Sequence, residues 1–208
     1  SDIYDSINRI GCACVTTNYD QLLSPRFVGD KTGATTAAPV KRIYRPEDFY
    51  AIRLDEPGNV VHLHGMKDDL DSMVLTTADY LRHYGNLRVR HLLTELFKRK
   101  TVLFVGYGLE ETEILEHIFR VAEDRPGQGA ERRIFVLQGY FRNQQRLYEY
   151  LHEYYLTTFD AHLIGYTRDY EDYCQQEAIF KDWAPRLKVR KAPLADDVEN
   201  MNRVLPDD

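Results

Sequence analysis

With 208 residues, 43% of them hydrophobic and 29% charged, the chain is long enough to bury a sizeable core and has the composition of a soluble globular protein. Its net charge of −6 and the lack of any basic stripe beyond clusters such as Lys98-Arg99-Lys100 argue against nucleic acid as a direct partner. There is no apolar run of about 18 residues and no secretory signal, so no membrane partner and a cytoplasmic location are expected.

Taken in order, a helix stopped by Gly11 comes first, then a buried strand over residues 12–17. Asn18 and Asp20 are helix-starting residue types, and a helix is expected over residues 18–23. Residues 29–39 (GDKTGATTAAP) read as a surface loop. A short strand over 41–44 and a turn over 45–48 lead to a strand over 59–63, which runs Val60-Val61-His62-Leu63 into His64-Gly65. An acidic loop at 68–71 follows, and Thr76-Thr77 caps a helix over 78–84. Leu92, Leu93, Leu96 and Phe97 share one face of a helix over 87–99. Strands over 101–105, 133–138 and 161–166 then alternate with helices over 110–123, 144–156 and 170–183. The alternation argues for an α/β, Rossmann-like fold with a mostly parallel sheet and helices on both faces. Residues 1–185 are expected to form this domain, and the charged, proline-spaced residues 186–208 a linker or tail towards a further domain. The start at Ser1, without methionine, suggests an N-terminally truncated domain cut from a longer polypeptide.

Three of the expected strands end in polar or glycine-rich residues: Asn18-Tyr19-Asp20, His64-Gly65 and Gly106-Tyr107-Gly108. The carboxyl edge of a parallel sheet is where ligands bind, so one shared crevice is expected. On a regular strand His62 and His64 would face the same way. His62 reads as a hydrogen-bonded core residue, whereas Gly65 opens space beside His64. Asn18 and Asp20 also fit plain roles as a helix cap and a first-turn carboxylate. Glu110 and Glu111, just after Gly108, would repel a phosphate, so the Gly106 loop suits a neutral part of a ligand such as a ribose. No metal is expected: Cys12, Cys14 and Cys174 form no ligand pairs, and the His-x-His lacks an evident third partner.

Together, Thr16-Thr17-Asn18-Tyr19-Asp20, Leu63-His64-Gly65 and Val105-Gly106-Tyr107-Gly108-Leu109 resemble the Asn-x-Asp, Leu-His-Gly and Gly-x-Ser-Leu motifs of sirtuins. The closer resemblance is to bacterial SIR2-like proteins of antiphage defence, which share the style of residues 73–80 (MVLTTADY). The resemblance implies NAD as substrate and cleavage of its nicotinamide–ribose bond. By position it implies that Asn18 and His64 are catalytic, with His64 as general base. Thr17, Asp20, Gly106, Gly108 and Leu109 would join them in holding the dinucleotide. Nicotinamide leaves as a neutral pyridine, so one base near the ribose suffices and no acid–base pair is needed.

Two departures qualify the resemblance. Gly108 replaces the family's serine, and the glycine-rich pyrophosphate loop expected upstream of Asn18 is missing. The isolated chain is therefore expected to bind NAD weakly or not at all and to show no NADase activity, with a preceding segment, a partner domain or another copy completing the sheet. A protein deacylase is a weaker reading, because the zinc-ribbon cysteines of sirtuins are absent from this sequence. A non-catalytic module that binds NAD or ADP-ribose, or serves assembly, is the reading from a different class.

Overall fold

The computed structural model describes residues 2–24, 41–56, 58–107, 114, 133–169 and 172–187. They fall into two compact units, one formed by residues 1–74 with 180–208 and the other by residues 75–179.

In the first unit, helix α1 (Asp2–Ile10) precedes strands β1 (Cys14–Thr16), β2 (Arg42–Ile43) and β3 (Val60–His62). The strands form a parallel sheet in the order β1-β3-β2, with Thr16 opposite His62 and Ile43 opposite Val61. Paired on both sides, β3 is the central strand, and Val60, Val61 and His62 are fully buried. Its β-branched valines suit that place, where a strand must pack on both faces. Ile43, Phe49, Leu54, Leu63 and Met66 complete the apolar interior of this segment.

In the second unit, α2 (Thr77–Gly85) and α3 (Leu87–Arg99) lead into β4 (Val102–Val105), β5 (Ile134–Tyr140), α4 (Gln145–Phe159) and β6 (Ala161–Thr167). Helix α5 (Cys174–Trp183) follows, belonging to the second unit up to Ile179 and to the first from Phe180. The hydroxyl of Thr76 accepts from the Asp79 N–H while the Asp79 carboxylate accepts from the Thr76 N–H, a reciprocal cap that starts α2 where its sequence signal placed it. Strands β4-β5-β6 form a second parallel sheet in sequence order. Tyr148, Leu151 and Tyr155 of α4 pack on Val136 and Leu163 of that sheet.

The parallel strands and intervening helices make this an α/β, Rossmann-like structure, as expected. The strands are divided between two three-stranded sheets rather than gathered in a single one. Residues 18–23 are not helical. Short-range bonds close tight local turns here: the Asp20 carboxylate accepts from the Leu22 N–H at 2.9 Å, and the Asn18 backbone N–H donates to the Thr16 side chain (Oγ1) at 3.1 Å. The helix expected from residue 170 begins at Cys174, which is exposed. The loop expected at 29–39, most of the helix expected at 110–123, and residues 188–208 lie outside the described residues.

Candidate functional site

Parallel pairing with Thr16 opposite His62 brings the chain out of β1 and β3 at one edge of the first sheet. Asn18 and His64 each stand two residues beyond those paired ends, so register alone delivers both motif residues to the carboxyl edge. The Leu63 N–H donates to the Thr16 carbonyl at 2.8 Å, carrying the ladder one step past the strands.

The regular alternation expected for His62 and His64 stops at this point. Strand β3 ends at His62, and Leu63 and His64 form a turn. Gly65 follows with φ +87°, a left-handed conformation that side chains other than glycine's resist. It is also packed tightly, since a Cβ built there would collide with the Ser72 backbone. The glycine therefore serves both the reversal after His64 and the close approach of the returning chain.

That returning chain folds back over the turn. The Val74 N–H donates to the His64 carbonyl at 3.0 Å, and the Tyr19 hydroxyl donates to the Val74 carbonyl at 2.6 Å. The Lys67 N–H donates to the Tyr19 carbonyl at 3.2 Å. Ser72 Oγ accepts from the Met66 N–H at 3.1 Å and donates to the Asp69 carbonyl, while the Arg45 guanidinium pairs with the Asp69 carboxylate. Main-chain and short side-chain bonds thus tie the loop after β1 to the loop after β3.

His62 contributes directly to this arrangement. Its ring is fully buried, with Nδ1 3.1 Å from the Asn18 carbonyl. A carbonyl can only accept, so Nδ1 carries the proton and Nε2 is the bare nitrogen of the neutral ring. Nε2 is buried without a hydrogen-bond partner. Burial pushes the His62 pKa below the usual histidine value, and the bond to Asn18 only partly offsets this.

Thr17, Asn18, Tyr19, Asp20 and Lys67 line an open depression of about 430 Å³ at this edge. Three of the expected site residues, Thr17, Asn18 and Asp20, therefore lie together. Tyr19 and Lys67 join them without having been singled out. Tyr19 was signalled only by its position between two motif residues. Lys67 had no sequence signal and is brought there by the fold of the loop. His64 is 8% exposed and does not line the depression.

Of the remaining expected residues, Gly106 belongs to the second unit, where it follows β4 with φ +62°. An added Cβ there would meet nothing within 4 Å, so backbone conformation, not crowding, calls for glycine. Gly108 and Leu109 lie outside the described residues. No group of three or more His, Cys, Asp or Glu side chains able to hold a metal occurs among the described residues. Nor is any helix among them long and apolar enough to cross a membrane.

The residues at the edge supply a neutral amide, a carboxylate, a phenol, a hydroxyl and an ammonium around one open depression. Such a set can orient a hydroxyl-rich, charged ligand. A family model described as SIR2-like domain matches residues 13–159, a span of about 70% of the chain that contains all three strand-end motifs. No curated protein matches the chain.

Proposed function

The chain belongs to the SIR2-like domain family, and from that premise we propose that it is an NAD⁺ glycohydrolase domain that cleaves the nicotinamide–ribose bond. Family membership supports an NAD-related function in general. The observation that carries the finer reading is the β1–β3 register, which sets the Asn18 and His64 motifs at one sheet edge, with Asn18 on an open depression.

In this mechanism Asn18 holds the nicotinamide ribose or the attacking water, because an amide can orient but cannot carry a proton away. The water oxygen forms a bond to the ribose anomeric carbon as the carbon–nitrogen bond breaks. The bonding pair goes to the pyridine nitrogen, so nicotinamide leaves neutral, and the water proton goes to His64 as general base. Asp20 and Thr17 offer acceptors to ribose hydroxyls, and Lys67 supplies a cation suited to a phosphate oxygen. The biological outcome proposed is NAD depletion in bacterial antiphage defence, with the protein free of metal and acting in the cytoplasm.

A second reading, a non-catalytic module for NAD or ADP-ribose, is favoured by one observation: His64 is buried and does not line the depression. Nicotinamide release from NAD⁺ separates the two, measured for this chain and for any longer polypeptide that contains it. Turnover is expected to fall about 100- to 10,000-fold in His64→Ala, the range typical for loss of a general base, with a comparable loss in Asn18→Ala. Binding of NAD⁺ without release of nicotinamide would establish the second reading. Turnover unchanged in His64→Ala would refute the mechanism.

A further inference from the structure

Helix α4 (Gln145–Phe159) carries large apolar residues on two faces. Tyr148, Leu151 and Tyr155 pack on the second sheet, while Leu147, Tyr150 and Tyr154 point outward and are 55%, 75% and 53% exposed. An ordinary surface helix has a single apolar stripe, and a contiguous exposed second one marks a contact surface. The outer stripe is partly ordered in advance, since the Tyr154 ring lies edge-on to Tyr155 and Phe159, with centroids 5.5 and 5.8 Å away.

The spacing of the stripe identifies its occupant. At about 100° per residue, positions seven apart return to within about 20° of each other on a helix. Arg146 and Glu153, both exposed, are seven apart and form one flank of the stripe. Leu147 and Tyr154 are also seven apart and form the other flank, with Tyr150 between the two. A two-fold axis perpendicular to the helix reverses its direction and brings like flanks together. Centred on Tyr150, that operation sets Arg146 against the partner's Glu153 and Leu147 against the partner's Tyr154, with the two Tyr150 rings at the axis. A parallel two-fold copy would instead bring unlike flanks together, setting Arg146 and Glu153 against the partner's Leu147 and Tyr154. The charges and the apolar residues are thus self-complementary about the same point.

We propose that a second copy of this chain docks antiparallel on the outer face of α4, forming a two-fold dimer centred on Tyr150. The buried aromatic residues supply most of the affinity, and the Arg146–Glu153 pairs set direction and register. This dimer does not depend on the NAD-cleaving reading.

The test is sedimentation equilibrium of the whole chain across a wide concentration range, with thermal melting to confirm that each variant is folded. All the substituted side chains are exposed, so at concentrations where the parent is monomeric melting temperatures should match the parent's. The parent is expected to dimerise, and Tyr150→Glu to weaken dimerisation at least tenfold. Arg146→Glu and Glu153→Arg should each weaken self-association through like-charge contacts. Mixing these two variants should restore a heterodimer, because each then meets its opposite charge. A parent that stays monomeric at every concentration would overturn the proposal. So would a dimer indifferent to Tyr150→Glu, or charge variants that do not recover on mixing.

Discussion

Replacing His62 with leucine separates placement of the site from stability. Two energetic effects oppose each other in this variant. It loses the Nδ1–H bond to the Asn18 carbonyl, a buried hydrogen bond with a net value of about 0.5–1.5 kcal/mol. It also removes Nε2, a buried nitrogen without a partner, whose desolvation costs about 1–3 kcal/mol. Leucine fills a similar volume in an apolar surrounding, so unfolding free energy is expected to change by no more than about 2 kcal/mol, in either direction. Function should respond differently, since Asn18 keeps only the local bond from its N–H to Thr16 Oγ1. A displacement of about 1 Å at a substrate-orienting residue can cost about 100-fold in rate. His62→Leu is therefore expected to keep its fold and lose kcat in NAD cleavage. His62→Asn offers an N–H close to the position of Nδ1 and should recover much of the loss, whereas His62→Gln offers one near Nε2 and should not. Amide hydrogen exchange at Asn18, faster in the leucine variant and restored by asparagine, reads placement even where no turnover is measured. Parent-like exchange at Asn18 in His62→Leu, or an asparagine variant no better than the glutamine one, would refute this role.

The same histidine predicts a pH dependence. Its folded pKa lies below the unfolded value of about 6.5, so the unfolded chain takes up a proton first as pH falls. This contribution to stability is full above that value, declines below it, and levels off once pH passes the folded pKa. Denaturant titrations from pH 7.5 downward should show it, with a shallower decline in His62→Leu. Gly65→Ala should destabilise by about 2–5 kcal/mol, combining about 1–2 kcal/mol for a left-handed backbone with about 1–3 kcal/mol for crowding against Ser72. An equilibrium melt within 1 kcal/mol of the parent, on the order of an ordinary surface change, would contradict that packing. Chelation is expected to leave melting temperature and NAD turnover unchanged, and stoichiometric metal lost together with either one would overturn this.

Where local signals and tertiary packing agreed, the elements were legible in the sequence. Thr76-Thr77 marked the start of α2, and Leu92, Leu93 and Phe97, all buried, marked the inner face of α3. Residues 18–23 misled because asparagine and aspartate serve helix caps and isolated turns by the same short-range hydrogen bond. Here Asp20 closes a turn onto Leu22, and the helix never begins. The alternation that would turn His62 and His64 the same way holds only while a strand lasts. Buried Leu63 looks like more strand in sequence, yet the strand ends at His62 and the chain turns. Likewise, the alternation of strands and helices indicated parallel pairing, but not which strands would share a sheet.

The candidate site reveals a further reason for partial legibility: much of its scaffold is main chain. The Asn18, His64 and Tyr19 carbonyls accept from the His62 ring, the Val74 N–H and the Lys67 N–H respectively. Every residue carries a carbonyl, and all but proline carry an N–H, so the main-chain bonds leave almost no mark on composition or spacing. Marks survive only where the main chain demands a particular residue. Gly65 is one, since its φ and its crowding by Ser72 exclude a side chain. His62 is the other, being the side chain in this set that reaches a main-chain carbonyl from inside the sheet. Both lie within one residue of Leu63-His64, so the motif His-Leu-His-Gly records two demands: a histidine to hold Asn18, and a turn directly after His64. On this reading the first histidine is as much a part of the site as the second, and the measurable difference between them is chemical. His64→Ala should abolish turnover with Asn18 still in place, whereas His62→Leu should displace Asn18 itself.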